Sequence, residues 1–506
     1  MRKAQRSLGF AARAACLCVL ALLASASSAQ MAAELRRAVD RAELGASGVA
    51  GVAVLDGLTG RVIFEHRADE PLAPASNQKL LTTAAAVKIL GSDYRFRTAL
   101  LIDERGRVVL RGGGDPILGD RNAADAPGAS AEQAVEGVGL LRGLPGLLSQ
   151  PGASVSELII DDRVFDRELV HPDWPRDQLD RWYCAPVQGV SVHANVFEFY
   201  PSPSAGGATA DLEPRSPWIQ IESRAQAVSK GRNAVWVQRT GGDDRFVLRG
   251  RIRTRTSAPI RVAMQEPALN AGRLLADRAG LSDAVPVRLA GEMEDLGSAR
   301  RLLGEVSSSL LPVLYRCNYD SMNLHSEALL KLLGRTITGE PGSWANGAAV
   351  LRMLIADTLG AEAASTTVVR DGSGLSRQNR ITARTLARWL TAMRGNDEVW
   401  PIYTQTLPSL RDKLQRRLGI APLEQRVFAK TGTINHVRCL SGYVTDPESG
   451  RTAVFVVLCN GLRTGESVRG SYALKADLVT AISENFMELA LPEPEPEQKL
   501  KPVAAE

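Results

Sequence analysis

Apolar and polar positions along the chain follow two periods in alternation. Apolar residues recur at helical spacing at Leu80, Leu81, Ala84, Val87 and Leu90, just after the boundary signal of Pro74, and predict a buried amphipathic helix opened by Ser76. Ahead of it, residues 31–44 have the spacing of an amphipathic helix. Residues 49–55 and 61–66 read as strands joined by the turn-rich Asp56-Gly57-Leu58-Thr59-Gly60.

From residue 94 to about 306 the pattern changes to short β-like runs broken by glycine and proline, at 97–102, 107–110, 158–160, 197–200, 218–222, 234–239 and 246–254. Helical pieces fall at 131–148 and 268–278, and loop tips at 123–128 and 201–207. Helical spacing returns at 310–315, 323–333, 347–358 and 383–393, followed by strands at 427–430, 440–444 and 452–458 and a closing helix at 472–489. This order predicts an α/β (α+β) domain made of residues 30–93 plus 306–490. It is interrupted by an inserted β-rich region at 94–305, read as two small domains. Residues 491–506 alternate proline with charge and read as a disordered tail.

At 506 residues, with 44% hydrophobic and 23% charged positions, the chain has an ordinary globular composition and room for two or three domains. Arg2, Lys3, Arg6 and Arg13, the apolar run at 14–24 and the small residues ending Ser27-Ser28-Ala29 read as a signal peptide over residues 1–29. Its removal would leave no transmembrane anchor, and the expected place is the periplasm or cell envelope. Without those four charges the net charge falls from +5 to about +1, so the basic balance belongs mostly to the leader and no nucleic-acid partner is implied. The mature cysteines are Cys184, Cys317, Cys439 and Cys459. Cys439 and Cys459 flank the turn at 446–450 and are either a pair across a hairpin or buried free thiols. The five histidines are dispersed, and no Cys/His spacing resembles a metal site.

Chemistry enters with Ser76-Asn77-Gln78-Lys79. Residues three apart on a helix share a face, so the Lys79 amine reaches the Ser76 hydroxyl. A serine needs a base to become a nucleophile, and a lysine becomes one when burial or positive charge lowers its pKa. The helix N-terminus also favours a developing oxyanion. Alone, the motif is equally an N-cap serine before a surface lysine. Ser321-Met322-Asn323 precedes a second helix and projects a hydroxyl and a carboxamide together, as a capping serine and turn residue also would. In Lys430-Thr431-Gly432-Thr433, Gly432 allows close backbone approach. Among the lysines of the chain, a serine stands three residues before Lys79 alone, and Lys-Thr-Gly occurs once, at Lys430.

Ser-x-x-Lys, Ser-x-Asn and Lys-Thr-Gly in this order resemble the class C low-molecular-mass penicillin-binding proteins of the serine β-lactamase/transpeptidase-like superfamily. The resemblance runs from about Glu34 to Leu489 and takes in segments 112–116, 160–165, 371–377 and 440–443. The 245 residues between Ser76 and Ser321 suit a class with small β-rich domains inserted at that point. The implied fold is a transpeptidase-like domain with an antiparallel sheet flanked by helices. The implied activity is that of a serine D-alanyl-D-alanine carboxypeptidase/endopeptidase acting on peptidoglycan stem peptides and acylated by β-lactams. A β-lactamase or esterase of the same fold is the alternative.

The resemblance makes Ser76 the nucleophile and Lys79 the base, with the N–H groups of Ser76 and Thr433 on the oxyanion. Ser321 would bridge Lys79 and Lys430, and Asn323 would orient the substrate amide. Lys430, Thr431 and Thr433 would bind the terminal carboxylate beside Gly432. Asp161, with Asp162 as a rival in register, and Arg377 would meet the amine and carboxylate of the stem-peptide end. No metal or cofactor is implied. Glu266-Pro267-Ala268-Leu269-Asn270 fits the Glu-x-x-Leu-Asn element of class A β-lactamases, but it precedes Ser321 here instead of following Ser-x-Asn, so Glu266 reads as a surface residue before a helix.

Overall fold

A computed structural model describes residues 30–126, 144–148, 155–281, 284–297, 300–409, 415–420, 423 and 425–489. The expected signal peptide, the tail from 491 and most of the helical piece expected at 131–148 lie outside them.

Five antiparallel strands form the central sheet, in the order β15 (Arg426–Ile434), β16 (Val437–Thr445), β17 (Thr452–Asn460), β1 (Val49–Asp56), β2 (Val62–His66). The β1–β2 turn is set by Asp56, whose Oδ1 accepts from the N–H groups of Leu58 and Thr59. Most of β17 and β16 is buried on both faces, so these strands read as near-continuous apolar runs. On one face the core joins the sheet to α2 (Gln78–Leu90), α4 (Leu310–Asn318), α5 (Asn323–Thr338), α6 (Trp344–Leu359), α7 (Ala383–Arg394) and α8 (Val399–Thr406). On the other face lie α1 (30–40) and α9 (Gly465–Glu484), the latter opened by Thr464, which accepts from the Ser467 N–H. Helix α2 is buried on every side from Gln78 to Val87, so it is the centre of the helical layer and not an amphipathic surface helix.

Cys439 and Cys459 belong to opposite faces. Arg438 pairs with Cys459 and Cys439 with Leu458, and this one-residue offset sends the two side chains apart. All four described cysteines are buried and free.

Between α2 and α4 the chain makes its β-rich excursion. It leaves along β3 (Arg95–Ile102) and returns along β14 (Arg301–Ser309), which are antiparallel neighbours. With β4 (Arg107–Arg111), β5 (Glu157–Asp161) and β13 (Val287–Leu289) they make a second five-stranded sheet, in which β4 and β5, and β5 and β13, run parallel. Further out are a sheet of β6 (Val196–Ser204), β7 (Gly207–Glu213) and β12 (Ile260–Ala263) and another of β8 (Gln220–Ser223), β9 (Gln226–Ala227), β10 (Ala234–Arg239) and β11 (Arg245–Ile252). Helix α3 (Pro267–Arg278) packs on β5 and β13, with Glu266 exposed before it. The entry of the excursion beside its exit supports the proposed division of the chain into a discontinuous domain and an insertion. Residues 201–207, expected as a loop tip, are the end of the β6–β7 hairpin: the turn is only 205–206, and the rest is strand. Strand β12 covers β6 only from Val196 to Phe199, so Pro201 and Pro203 stand where no third strand needs an N–H.

Candidate active site

Ser76 stands in a single 3₁₀ turn, Ala75–Asn77, that runs into α2, and Lys79 lies in the first turn of the helix. Ala75 takes a positive φ of 46°. Two glycines press this turn into shape. A Cβ on Gly374 would lie 1.8 Å from the Ala75 carbonyl oxygen, and one on Gly432 would lie 2.7 Å from both the Pro74 carbonyl oxygen and Asn77 Oδ1. The Lys-Thr-Gly strand and the 371–377 loop thus meet the nucleophile turn backbone to backbone.

Lys79 is 0% exposed. Its Nζ donates to Ser76 Oγ at 3.1 Å, Asn323 Oδ1 at 2.7 Å and the Ser373 carbonyl at 2.9 Å. The amide and carbonyl oxygens can only accept. When the amine is neutral its two N–H bonds stay on those oxygens, and the lone pair is left for the Ser76 hydroxyl. Burial pushes the Lys79 pKa down to about 8, against the opposing pull of Cys317, Glu327 and Asp371.

Ser321 has φ of 61°, and its Oγ accepts from Lys430 Nζ at 2.8 Å. Asn323 opens α5; while its Oδ1 holds Lys79, its Nδ2 donates to the Tyr183 carbonyl at 2.8 Å. The resting site therefore contains two linked pairs, Ser76–Lys79 tied to Asn323 and Ser321–Lys430. Of Lys430-Thr431-Gly432-Thr433, Lys430 is buried, Gly432 packs on the nucleophile turn and Thr433 faces the cleft. Thr431 is half-buried and its carbonyl accepts from Lys430 Nζ at 3.2 Å.

Two buried carboxylates flank this group. Glu327 accepts from the N–H groups of Gly372 (2.8 Å) and Ser373 (2.9 Å) and the Trp344 indole (2.9 Å). Asp371 accepts from the N–H groups of Gly374 and Ser376, the Asn379 amide and the Trp174 indole. Burial raises the Glu327 pKa, helped by the neighbouring Asp371. Glu327 was not among the site residues expected from the sequence, although a glutamate one turn after Asn323 shares its helix face.

The cleft of about 690 Å³ is lined by Ser76, Ser321, Asn323, Thr433 and Arg377 from the main domain and by Asp173, Asp177, Trp182 and Tyr183 from the excursion. Asp161 is not brought to it. Its carboxylate, 8% exposed at the end of β5, accepts from Arg163 Nε at 2.7 Å and lies 3.4 Å from Arg111 Nε. These guanidiniums hold its pKa below the usual range although burial acts in the opposite direction. Its rival Asp162 is equally committed, to Arg167 and Gln188. The carboxylates that do reach the cleft are Asp173, held by Ser376 and Arg370, and Asp177, which is exposed and makes no ion pair among the described residues. Arg377 is exposed and likewise makes no ion pair among them. Among the described residues no group of three or more His, Cys, Asp or Glu side chains is placed to hold a metal ion, and no helix is long and apolar enough to cross a membrane.

A family model described as the D-Ala-D-Ala carboxypeptidase 3 (S13) family matches residues 31–480. The chain is 32% identical over 473 residues to a D-alanyl-D-alanine carboxypeptidase of Actinomadura sp., with 87% of this chain and 83% of that one covered. Penicillin binding protein 4 (dacB) from Haemophilus influenzae superposes with a TM-score of 0.69 at 20% identity, covering 90% of this chain and 99% of that one. The same protein complexed with a β-lactam superposes with a TM-score of 0.66 at 20% identity, covering 89% and 99%.

Proposed function

The chain belongs to the D-Ala-D-Ala carboxypeptidase 3 (S13) family and is a serine D-alanyl-D-alanine carboxypeptidase, and from that premise we propose that Ser76 attacks with Lys79 as its base. The observation that carries this is the 3.1 Å contact between Lys79 Nζ and Ser76 Oγ, with both other Lys79 partners obligate acceptors. Neutral Lys79 takes the hydroxyl proton as Oγ bonds to the carbonyl carbon between two D-alanines, and the oxyanion settles on the N–H groups of Ser76 and Thr433. Collapse breaks the C–N bond. Ser321, held by Lys430, gives its proton to the departing amine of D-alanine and takes back the one that Lys79 removed from Ser76; water then adds to the acyl carbon, losing a proton to Lys79, and the ester bond breaks as that proton returns to Ser76 Oγ. Lys430, Thr431 and Thr433 receive the terminal carboxylate, and Asn323, already tied to Lys79 and Tyr183, lies along the substrate amide. The enzyme works on peptidoglycan stem peptides after export to the periplasm or cell envelope, as terminal carboxypeptidase or as crosslink endopeptidase.

The Haemophilus protein has been crystallised with a β-lactam, and the same site chemistry makes this enzyme a covalent acceptor of penicillin. A fluorescent penicillin is expected to label Ser76 and to stay bound. Peptide mass spectrometry that finds the adduct elsewhere, or none, removes the proposed nucleophile. Release at the pace of an efficient β-lactamase promotes the alternative.

The diamino end of the stem peptide meets Asp177 and Arg377 in this reading, with Asp177 taking the place that the resemblance had offered Asp161. Each charge-assisted hydrogen bond contributes about 1.5 to 3 kcal/mol when desolvated. Asp177→Ala and Arg377→Ala are therefore each expected to lower kcat/KM on a peptide with a free diamino end by about 10-fold or more, leaving penicillin acylation nearly unchanged. Equal losses on both substrates would mean that these residues support the fold. An undiminished peptide rate would remove the subsite.

A further inference from the structure

Glu327 is one helical turn beyond Asn323 on α5 and is 0% exposed. Three N–H groups donate to it, the Gly372 and Ser373 amides and the Trp344 indole, and the Ser373 hydroxyl is a further partner. These donors favour the carboxylate, in opposition to burial and the neighbouring Asp371, which raise its pKa. Among the described residues no cation is hydrogen-bonded to it. The nearest on its own helix, Lys331, is taken by Asp166 Oδ1 at 2.6 Å and the Glu168 carbonyl at 2.7 Å and lies over the Trp344 ring at 3.9 Å. One of the amides it holds is that of Ser373, whose carbonyl accepts from Lys79. Glu327 is therefore linked to the base twice, through a backbone unit and through space.

Resting on the reading of Ser76 and Lys79 above, we infer that Glu327 is a positioning residue for proton transfer. It anchors the loop that holds the Lys79 amine, and as a buried negative charge it sets how tightly Lys79 keeps its proton. Other groups also face Lys79. Cys317 on α4 is pushed up to about 12 by burial and stays a neutral thiol. Asp371, in the same loop as Ser373 and held by four N–H donors, is a second buried carboxylate that acts on Lys79, after Glu327 in size. Lys430 on β15, the fixed positive neighbour, is paired with Ser321. The Asn323 amide is uncharged. Glu327 and Asp371 both oppose the effect of burial on Lys79.

The test is the pH profile of acylation by a fluorescent penicillin, read on wild type, Glu327→Gln and Glu327→Asp, with folding checked by thermal melting. Acylation rises with pH as Lys79 loses its proton. Without the charge at 327 the proton is held less tightly, so the acid limb of Glu327→Gln is expected to move down by on the order of one pH unit. Its plateau falls as well, because the amide sets an N–H against one of the three donors. Glu327→Asp keeps the charge but cannot reach both amides, so its plateau falls while its limb stays within about 0.3 unit of wild type. A Gln limb that coincides with wild type, whatever its plateau, reduces Glu327 to a structural tie and overturns the inference, as does an Asp limb displaced as far as the Gln limb. Should Glu327→Gln fail to fold, Glu327→Ala, which also removes the charge, is read in its place: a limb moved down supports the inference, and a limb that coincides with wild type overturns it. A wild-type protein that takes no label on Ser76 removes the nucleophile reading first, and this inference with it.

Discussion

Lys79→Arg is expected to lower the rate of Ser76 acylation by about 100-fold or more, the lower range for losing a general base, while the protein stays folded. A guanidinium keeps the positive charge that Asn323 Oδ1, the Ser373 carbonyl and the nearby carboxylates Glu327 and Asp371 surround, but it does not give up a proton within the working pH range. The wild-type profile fixes the sign. Protonated Lys79 has no lone pair for Ser76, so acylation is low on the acid side and rises as pH passes through the pKa of the amine. Burial brings that pKa to about 8, well below an ordinary lysine, so the rise falls near neutral to mildly alkaline pH. Stopped-flow acylation of both proteins from pH 5 to 10 measures the two effects together. A normal acylation rate in folded Lys79→Arg would show that another group takes the proton.

The parts of this site that could be read from the chain are those in which chemistry and local period coincide. Ser76 and Lys79 are three residues apart in a segment that had to be helical, and their contact needs no tertiary structure. The sheet and the helices around it were legible for the same reason, since β1, β17 and α5 carry long apolar runs bounded by turn residues. What failed depended on pairing across distance. Asp161 and Asp177 are sixteen residues apart and look alike as isolated carboxylates, but β5 places the first beside Arg111 and Arg163, whereas the second projects from the loop that walls the cleft. Of the two readings of Cys439 and Cys459, a register offset of one residue decides for buried free thiols over a pair. The prolines of β6 read as breakers because the length of the neighbouring strand β12 is a property of the assembled sheet. Glu327 sits among other polar residues of its helix, His325, Ser326 and Lys331, and is set apart from them only once the 371–377 loop folds over it.

Gly432→Ala is expected to slow acylation by roughly 10- to 100-fold, because a displacement of well under 1 Å at the reacting groups is enough for losses of that order. Its effect is one of space and not of backbone freedom. Gly432 does not have a positive φ, so alanine meets no conformational penalty at this position, in contrast to Gly374, whose φ is 83°. The added methyl would stand 2.7 Å from the Pro74 carbonyl oxygen, 2.7 Å from Asn77 Oδ1 and 3.1 Å from Cys439 Cβ. Pro74 belongs to the backbone of the nucleophile turn, and Asn77 is fully buried within it, so neither gives way cheaply. The edge strand β15 gives instead, moving away from the turn and taking with it Thr433, which lines the cleft with Ser76 and whose N–H is proposed to hold the oxyanion. Overpacking of this kind costs about 1 to 3 kcal/mol of stability, so the folded protein survives with a reduced melting temperature. The rate should fall for penicillin and peptide alike, since both depend on the same oxyanion contact, and this separates Gly432 from Asp177 and Arg377, whose loss is confined to the peptide. Acylation of Gly432→Ala at the wild-type rate would mean that β15 has room to spare beside Ser76 and that the contact between the strand and the turn does not hold the site together.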